Sequence, residues 1–133
     1  MELTNFGSIM KFAIDRETDL KDILVRAIAD PKLSSLADQL TAMTAQNQSN
    51  LKLLERTRRE GICEMVLHPI TGLNSDDYVF AADPHALGSA DGFVSFIKIA
   101  SEKLMRFYAT AGEKLPADDA KRAFLKLAKK PYL

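Results

Sequence analysis

Two predicted amphipathic helices carry polar side chains on faces that should be apolar. In the segment TAQNQSNLKLLE, residues 44–55, Asn47 and Asn50 fall on the apolar stripe of the helix. Glu17 lies on the apolar stripe of the helix before it. Because residues three or four apart share a helix face, all three side chains should face the core. A carboxylate buried alone is costly, whereas amide groups donate hydrogen bonds to it, so we expect a buried polar cluster.

A second set of reactive residue types lies between the second and third predicted helices. It comprises Cys63, Glu64, His68, Asp83 and His85. Such side chains bind zinc, but their spacing matches no zinc motif and each histidine adjoins a proline. We therefore interpret them as ordinary loop residues, and the lone cysteine as a packed thiol rather than a redox sensor.

The run ERTRREG, residues 55–61, contains three arginines and is a candidate for anion binding. Its alternating charges near a predicted helix end instead favour a solvent-exposed face that interacts favourably with the helix dipole. The sequence contains no phosphate-binding loop, nucleophile elbow or catalytic-triad order.

Four predicted helices position these side chains, at about 5–29, 32–60, 90–114 and 117–130. Asp30-Pro31 ends the first helix and begins the second, Gly61 ends the second, and Pro131 ends the fourth. The short linkers make two antiparallel hairpins, which a long crossover joins. The predicted fold class is therefore all-α, a four-helix bundle forming a single domain over residues 1–133.

The crossover, residues 61–89, has no sustained periodicity. A free loop of this length is unusual in a compact domain, so we expect its apolar residues to pack along the bundle. These residues are Met65, Val66, Leu67, Ile70, Leu73, Tyr78, Val79 and Phe80.

Composition and charge limit the partners and the location of the protein. Lysine plus arginine and aspartate plus glutamate are balanced at 18 each, so we expect no binding to nucleic acid. No apolar run is long enough to span a membrane, so we expect no membrane partner. A single cysteine and an N-terminus without secretory features predict a cytoplasmic protein.

The first and third predicted helices contain similar segments. FAIDRETDLKDIL in the first helix and FIKIASEKLMRFY in the third share an aromatic start followed by acidic and basic residues. When the first helix is matched to the third, the chain resembles the rubrerythrin-like branch of the ferritin-like superfamily over nearly its whole length. In that family glutamates on the first and third helices, and Glu-x-x-His on the second and fourth, hold two iron or manganese ions.

The resemblance assigns family positions to residues of the first two helices. Glu17 matches the ligand of the first helix. Asn47 and Asn50 stand where the family has Glu-x-x-His, so both ligands of the second helix are replaced.

The later helices also depart from the family pattern. Ser101 matches the ligand position of the third helix, and Glu102 lies one residue away, rotated by about 100°. In the fourth helix FLKLAKKPYL matches the run before Glu-x-x-His, and Pro131 takes the glutamate position. The resemblance therefore implies a degenerate di-metal site that retains at most one of its six ligands.

These substitutions predict a non-catalytic ferritin-like protein with an interaction or regulatory role. We expect no cofactor, a homodimer, and a protein partner that the sequence does not identify. The alternative is a metal-binding oxidoreductase or iron-storage protein of the rubrerythrin or ferritin type. It would hold iron or manganese with Glu17 and Glu102, together with Glu64 or the crossover histidines. A third hypothesis, a small polar ligand at Asn47, Asn50 and Ser101, requires a cavity there.

Overall fold

The computed structural model describes residues 1–65, 69–80 and 88–133, without the side chains of residues 62–65. These residues form four α-helices and two short 3-10 helices, and the all-α prediction is confirmed. Within the described residues, β structure is limited to one isolated bridge between Glu2 and Asn74. The α-helices are α1 (Phe6–Ile28), α2 (Ala37–Met65), α3 (Ala90–Lys114) and α4 (Asp118–Leu127).

A capping box starts α1. The Ser8 amide donates to the Asn5 side chain at 2.8 Å, and the Asn5 amide donates back to the Ser8 hydroxyl at 3.3 Å. This reciprocal pair satisfies two N–H groups that a helix start leaves without partners. At the other end, Asp30 accepts from the Lys32 amide at 3.0 Å.

The junction between α1 and α2 differs in detail from the sequence prediction. Pro31–Leu36 forms a 3-10 helix, so α2 begins at Ala37 rather than near residue 32. The short junction turns the chain back, and Asn47 near the middle of α2 packs on Glu17 near the middle of α1. The two helices are therefore an antiparallel hairpin.

Two predicted helix ends are also corrected. Gly61 was expected to end α2, but the helix continues to Met65. A glycine inside a helix costs only about 1 kcal/mol, so α2 can continue through Gly61, which is buried. The fourth helix ends at Leu127, three residues earlier than predicted, because a residue that precedes a proline disfavours the α conformation.

The second hairpin joins α3 and α4 through a very short linker. A β-carbon at Gly112 would lie 3.2 Å from Phe124 Cβ and 3.3 Å from a methyl group of Leu125. These contacts are tighter than ordinary van der Waals contact, so any larger residue would force its neighbours to shift. The hairpin is fixed by steric fit as well as by linker length.

Aromatic rings connect the two hairpins. Phe107 of α3 lies 4.8 Å from Phe12 of α1 and 6.1 Å from Phe124 of α4, measured between ring centroids. Tyr108 meets Phe124 edge-on at 5.5 Å. Tilted and edge-on aromatic pairs are favourable beyond the area they bury, so this cluster holds the central part of the helices together.

The described part of the crossover, residues 69–80, lies against the N-terminal segment. The Leu3 amide donates to Leu73 O at 2.8 Å, and the Ile70 amide donates to Thr4 O at 2.7 Å. Ile70 and Leu73 are buried, as expected for apolar anchors. The crossover begins later than predicted because α2 is longer.

The remaining predicted anchors behave differently from one another. Tyr78 and Phe80 pack edge-on against Phe107 and Phe96 of α3. Val79 is 41% exposed, although its carbonyl accepts from the Lys103 ammonium at 2.8 Å. The side chains of Met65, Val66 and Leu67 lie outside the described residues. None of the described helices is sufficiently long and apolar to cross a membrane.

Candidate functional site: a buried carboxylate with four donors

The carboxylate of Glu17 is the centre of the site, and it is fully buried. Its Oε1 accepts from the Tyr108 hydroxyl at 2.6 Å and from the Asn50 amide at 3.2 Å. Its Oε2 accepts from the Tyr132 hydroxyl at 2.5 Å and from the Asn47 amide at 2.9 Å. A carboxylate offers about four lone-pair sites, so these four donors use its whole hydrogen-bonding capacity.

Helix α2 presents both amides on one face. Asn47 and Asn50 are three residues apart, which places them side by side toward α1. The Asn47 amide also donates to the main-chain carbonyl of Glu17 at 2.9 Å. Asn47 therefore joins the backbone of α1 as well as its side chain, which sets the register of the hairpin.

Tyr108 enters the cluster from α3. Its ring packs against both Phe107 and Phe124, and its hydroxyl reaches Glu17 across the core. The aromatic ring packs against apolar neighbours, while the hydroxyl donates to a buried acceptor.

Tyr132 enters from the C-terminal tail, residues 128–133, which follows α4. The Gln46 side chain donates to Lys130 O at 2.8 Å and to Pro131 O at 3.3 Å. The Tyr132 amide donates to the Ser101 hydroxyl at 2.9 Å. With its main chain held by α2 and α3, the tail projects the Tyr132 ring into the core.

The sequence-predicted residues take different places around this centre. Glu17, Asn47 and Asn50 form the cluster itself. Ser101 is buried beside the cluster, but its hydroxyl accepts from the Tyr132 amide and does not contact the carboxylate. Pro131 is exposed, and the next residue occupies the core instead.

Residues of the metal-binding alternative lie apart from Glu17 or outside the described residues. Glu102 is exposed on α3 and lines an open cavity with Met105 and Pro131. The side chains of Cys63, Glu64, His68, Asp83 and His85 are not among the described ones.

The two tyrosine hydroxyls are the part of the site that sequence reasoning missed. Helical spacing places Tyr108 on the apolar face of the third helix without a polar partner, and Tyr132 follows the last predicted helix. Counting donors indicates that further ones are needed, because two amides do not fill the roughly four lone-pair sites of a carboxylate. The chain contains only three tyrosines, so few residues combine an apolar ring with a hydroxyl donor.

Burial controls the protonation of the cluster. Burial raises the pKa of Glu17 above its ordinary value of 4.5, although the hydrogen bonds from its four neighbours partly oppose this increase. Burial and the nearby Glu17 charge raise the pKa of Tyr108 and of Tyr132 above the ordinary value for tyrosine. Both hydroxyls therefore keep their protons and act as donors.

The residues around Glu17 do not fit a di-metal centre. They direct amide N–H and phenol O–H groups at the carboxylate, whereas a hard cation needs oxygen lone pairs directed at itself. One carboxylate also balances only a quarter of the charge of two divalent ions. The arrangement instead suits a structural role, in which a closed hydrogen-bond network fixes the relative positions of the helices.

Comparison with protein families, curated proteins and solved structures gives no match for this chain.

Proposed function

We propose that this protein is a ferritin-like four-helix bundle, related to rubrerythrins, in which a closed hydrogen-bond cluster replaces the di-metal centre. Its role is non-catalytic, as an interaction or regulatory protein that forms a homodimer. The observation that carries this proposal is the fully buried Glu17 carboxylate, which accepts four hydrogen bonds from neutral donors.

The origin of the donors supports the relationship to di-metal bundles. Glu17 comes from α1, Asn47 and Asn50 from α2, Tyr108 from α3, and Tyr132 from the tail after α4. In di-metal bundles the inward side chains of all four helices likewise meet at one centre. The polarity of such a centre is retained here, while its capacity to coordinate metal is not.

The chemistry of the cluster supports a non-catalytic role. Glu17 has no solvent exposure, and every lone-pair site of its carboxylate already has a donor. The raised pKa values of Tyr108 and Tyr132 disfavour phenolates, which would otherwise be metal ligands or bases. A reactant would have to break this network before it met a functional group.

The metal-binding alternative is less favoured. It needs a second carboxylate beside Glu17, and Glu102, its best candidate on α3, is exposed to solvent. Within the described residues, no group of three or more histidine, cysteine, aspartate or glutamate side chains is placed to share an ion.

Elemental analysis tests the proposal directly. The protein is purified without a metal-binding tag or chelator, and its iron and manganese contents are measured before and after titration with each metal. We expect a folded, metal-free protein whose thermal stability does not change on addition of either ion. Near-stoichiometric metal that is lost in Glu17→Gln would overturn the proposal and favour the alternative.

An exposed apolar pair supports the homodimer. Val25 and Ile28 lie one turn apart near the end of α1 and are 58% and 55% exposed. A symmetric partner would cover both. Light scattering during size-exclusion chromatography should detect a dimer, and the double substitution Val25→Glu and Ile28→Glu should convert it to a monomer. A wild-type protein that is monomeric at every concentration would contradict this part of the proposal.

A further inference from the structure

We propose that the groove between α2 and α4 binds a small molecule with two or three linked phosphate groups. Two adjoining cavities form this groove, with volumes of about 520 and 320 Å³, within the range of small-molecule sites. They share Leu53, Arg56 and Lys126 in their walls. The groove meets the Glu17 cluster only at Asn50, and its charged side chains do not belong to that cluster, so the proposal goes beyond the proposed function.

Positive charge is concentrated in the larger cavity, although the whole chain is neutral. Five cationic side chains and one carboxylate, that of Glu55, line it. The cations are Lys52, Arg56, Arg59, Lys126 and Lys130. Within the described residues, the salt bridges of the chain involve none of these five.

The tertiary structure removes the simpler explanation for the arginines. In the sequence they lie close to the predicted helix end at Gly61, where contact with the helix dipole accounts for them. The helix continues to Met65, so Arg56 and Arg59 lie more than one turn before its end. The dipole effect falls off within the last turn. The dipole therefore does not account for the juxtaposition of these exposed arginines with Lys126 of α4 and Lys130 of the tail.

The spacing of the cations selects a chain of phosphates over a single anion. Lys52, Arg56 and Arg59 follow one another at intervals of one turn, over about 10 Å of helix. A lone phosphate or sulfate contacts only part of this row, whereas linked phosphates contact all of it. Arginine favours phosphate because its planar guanidinium donates two parallel hydrogen bonds.

The smaller cavity offers a place for the uncharged part of such a ligand. Its walls include Leu53, Ala117, Ala120 and Ala123, and its one close ion pair joins Arg122 to Asp119 at 2.7 Å. Glu60 also lines this end, so apart from the shared Arg56 and Lys126 it has one cation and two carboxylates, and the rest of its wall is partly apolar. A phosphate chain at the basic end with an organic group at the alanine end, as in a nucleoside triphosphate, fits both cavities.

Isothermal titration calorimetry at low salt tests the proposal, with tripolyphosphate, ATP and inorganic phosphate as probes. We expect tripolyphosphate to bind at least about tenfold more tightly than inorganic phosphate, and ATP to bind at least as tightly as tripolyphosphate. The double variant Arg59→Ala/Lys130→Ala should bind tripolyphosphate at least about tenfold more weakly, because two direct contacts with phosphate are lost.

The matched control is Arg58→Ala/Lys129→Ala. Both of its residues are exposed neighbours of the groove cations on the same chain segments, but neither lines the groove. The control has the same net charge as the groove variant and should bind within twofold of the wild type. Circular dichroism establishes that both variants are folded, which is expected because all four side chains are exposed.

Three results would overturn the proposal. The first is absence of tripolyphosphate binding to the wild type. The second is an equal loss of affinity in both double variants, which would mean attraction by overall charge. The third is equally tight binding of a hexaglutamate peptide, which would make the groove a general site for acidic segments.

Discussion

Replacing Tyr132 with phenylalanine removes one hydroxyl from the centre of the cluster and leaves the ring. That hydroxyl donates to Glu17 at 2.5 Å and accepts from the Asn50 amide at 3.1 Å. The substitution therefore leaves one lone-pair site of a buried carboxylate and one hydrogen of a buried amide without their partners. We expect a loss of stability with little change in the shape of the core.

The magnitude follows from what remains after the substitution. Leaving a buried polar group without its partner costs about 1–3 kcal/mol. Glu17 keeps its donor from Asn47 on the same oxygen, and Asn50 keeps the other carboxylate oxygen as acceptor. The expected decrease in the free energy of unfolding is therefore about 2 kcal/mol. For a chain of 133 residues this corresponds to a decrease in Tm of roughly 7 °C.

The assay is urea denaturation of the wild type and the variant at pH 7, monitored by circular dichroism. Tyr78→Phe is the matched control, because Tyr78 packs edge-on against Phe107 and its hydroxyl has no hydrogen bond among the described residues. The control should change the free energy of unfolding by less than about 0.5 kcal/mol. Equal values for Tyr132→Phe and Tyr78→Phe would refute the importance of the Tyr132 hydroxyl.

A double-mutant cycle separates this contact from general effects on the core. Tyr132→Phe is repeated in the Glu17→Gln background, and the interaction energy is the departure from additivity. We expect about 1 kcal/mol or more, because the hydroxyl acts mainly through the carboxylate. Additive effects would mean that the two side chains stabilise the fold independently.

Two further predictions concern protonation and helix packing. Because burial raises the pKa of Glu17 above 4.5, the folded chain holds its proton more tightly than the unfolded chain. The stability of the wild type relative to Glu17→Gln should therefore be greatest below pH 4.5 and should fall as the pH rises through the raised pKa. Urea denaturation between pH 4 and 8 measures this difference, and a difference that increases with pH would contradict it. Gly112→Ala should destabilise the protein by about 1 kcal/mol, because its new β-carbon would lie 3.2 Å from Phe124 Cβ. Gly7→Ala should stabilise it by about 0.5 kcal/mol, since the nearest atom to its new β-carbon would be 3.5 Å away. The same denaturation curves compare the two alanines, and an equal effect of both would contradict the close approach at Gly112.

Local sequence patterns predict most of the helical structure of this protein. Apolar residues at intervals of three and four placed the four helices, because a helix must bury one face. The two ends of α2 depart most from the prediction, because this helix begins at Ala37 after a 3-10 helix and continues past Gly61 to Met65. A single glycine lowers helix stability by only about 1 kcal/mol, so it is a weak signal for a helix end.

The spacing of apolar residues also predicts which polar residues lie in the core, but it does not predict their hydrogen bonds. Glu17, Asn47 and Asn50 interrupt apolar stripes, so periodicity alone directs them inward. The hydroxyls of Tyr108 and Tyr132 reach Glu17 from residues 91 and 115 positions away in the chain. No local pattern encodes contacts over such separations.

Sequence alone thus determined that four amphipathic helices would form and that a carboxylate and two amides would face their common core. The tertiary structure decided which donors fill the remaining lone-pair sites of that carboxylate. Gln46 and Ser101 bind the main chain of the C-terminal tail, and the tail brings the Tyr132 hydroxyl to Glu17. It also decided that the cations of α2 face Lys126 of α4 and Lys130 of the tail across a groove. Helix formation depends on near neighbours in the chain, whereas these sites depend on how the helices and the tail pack together.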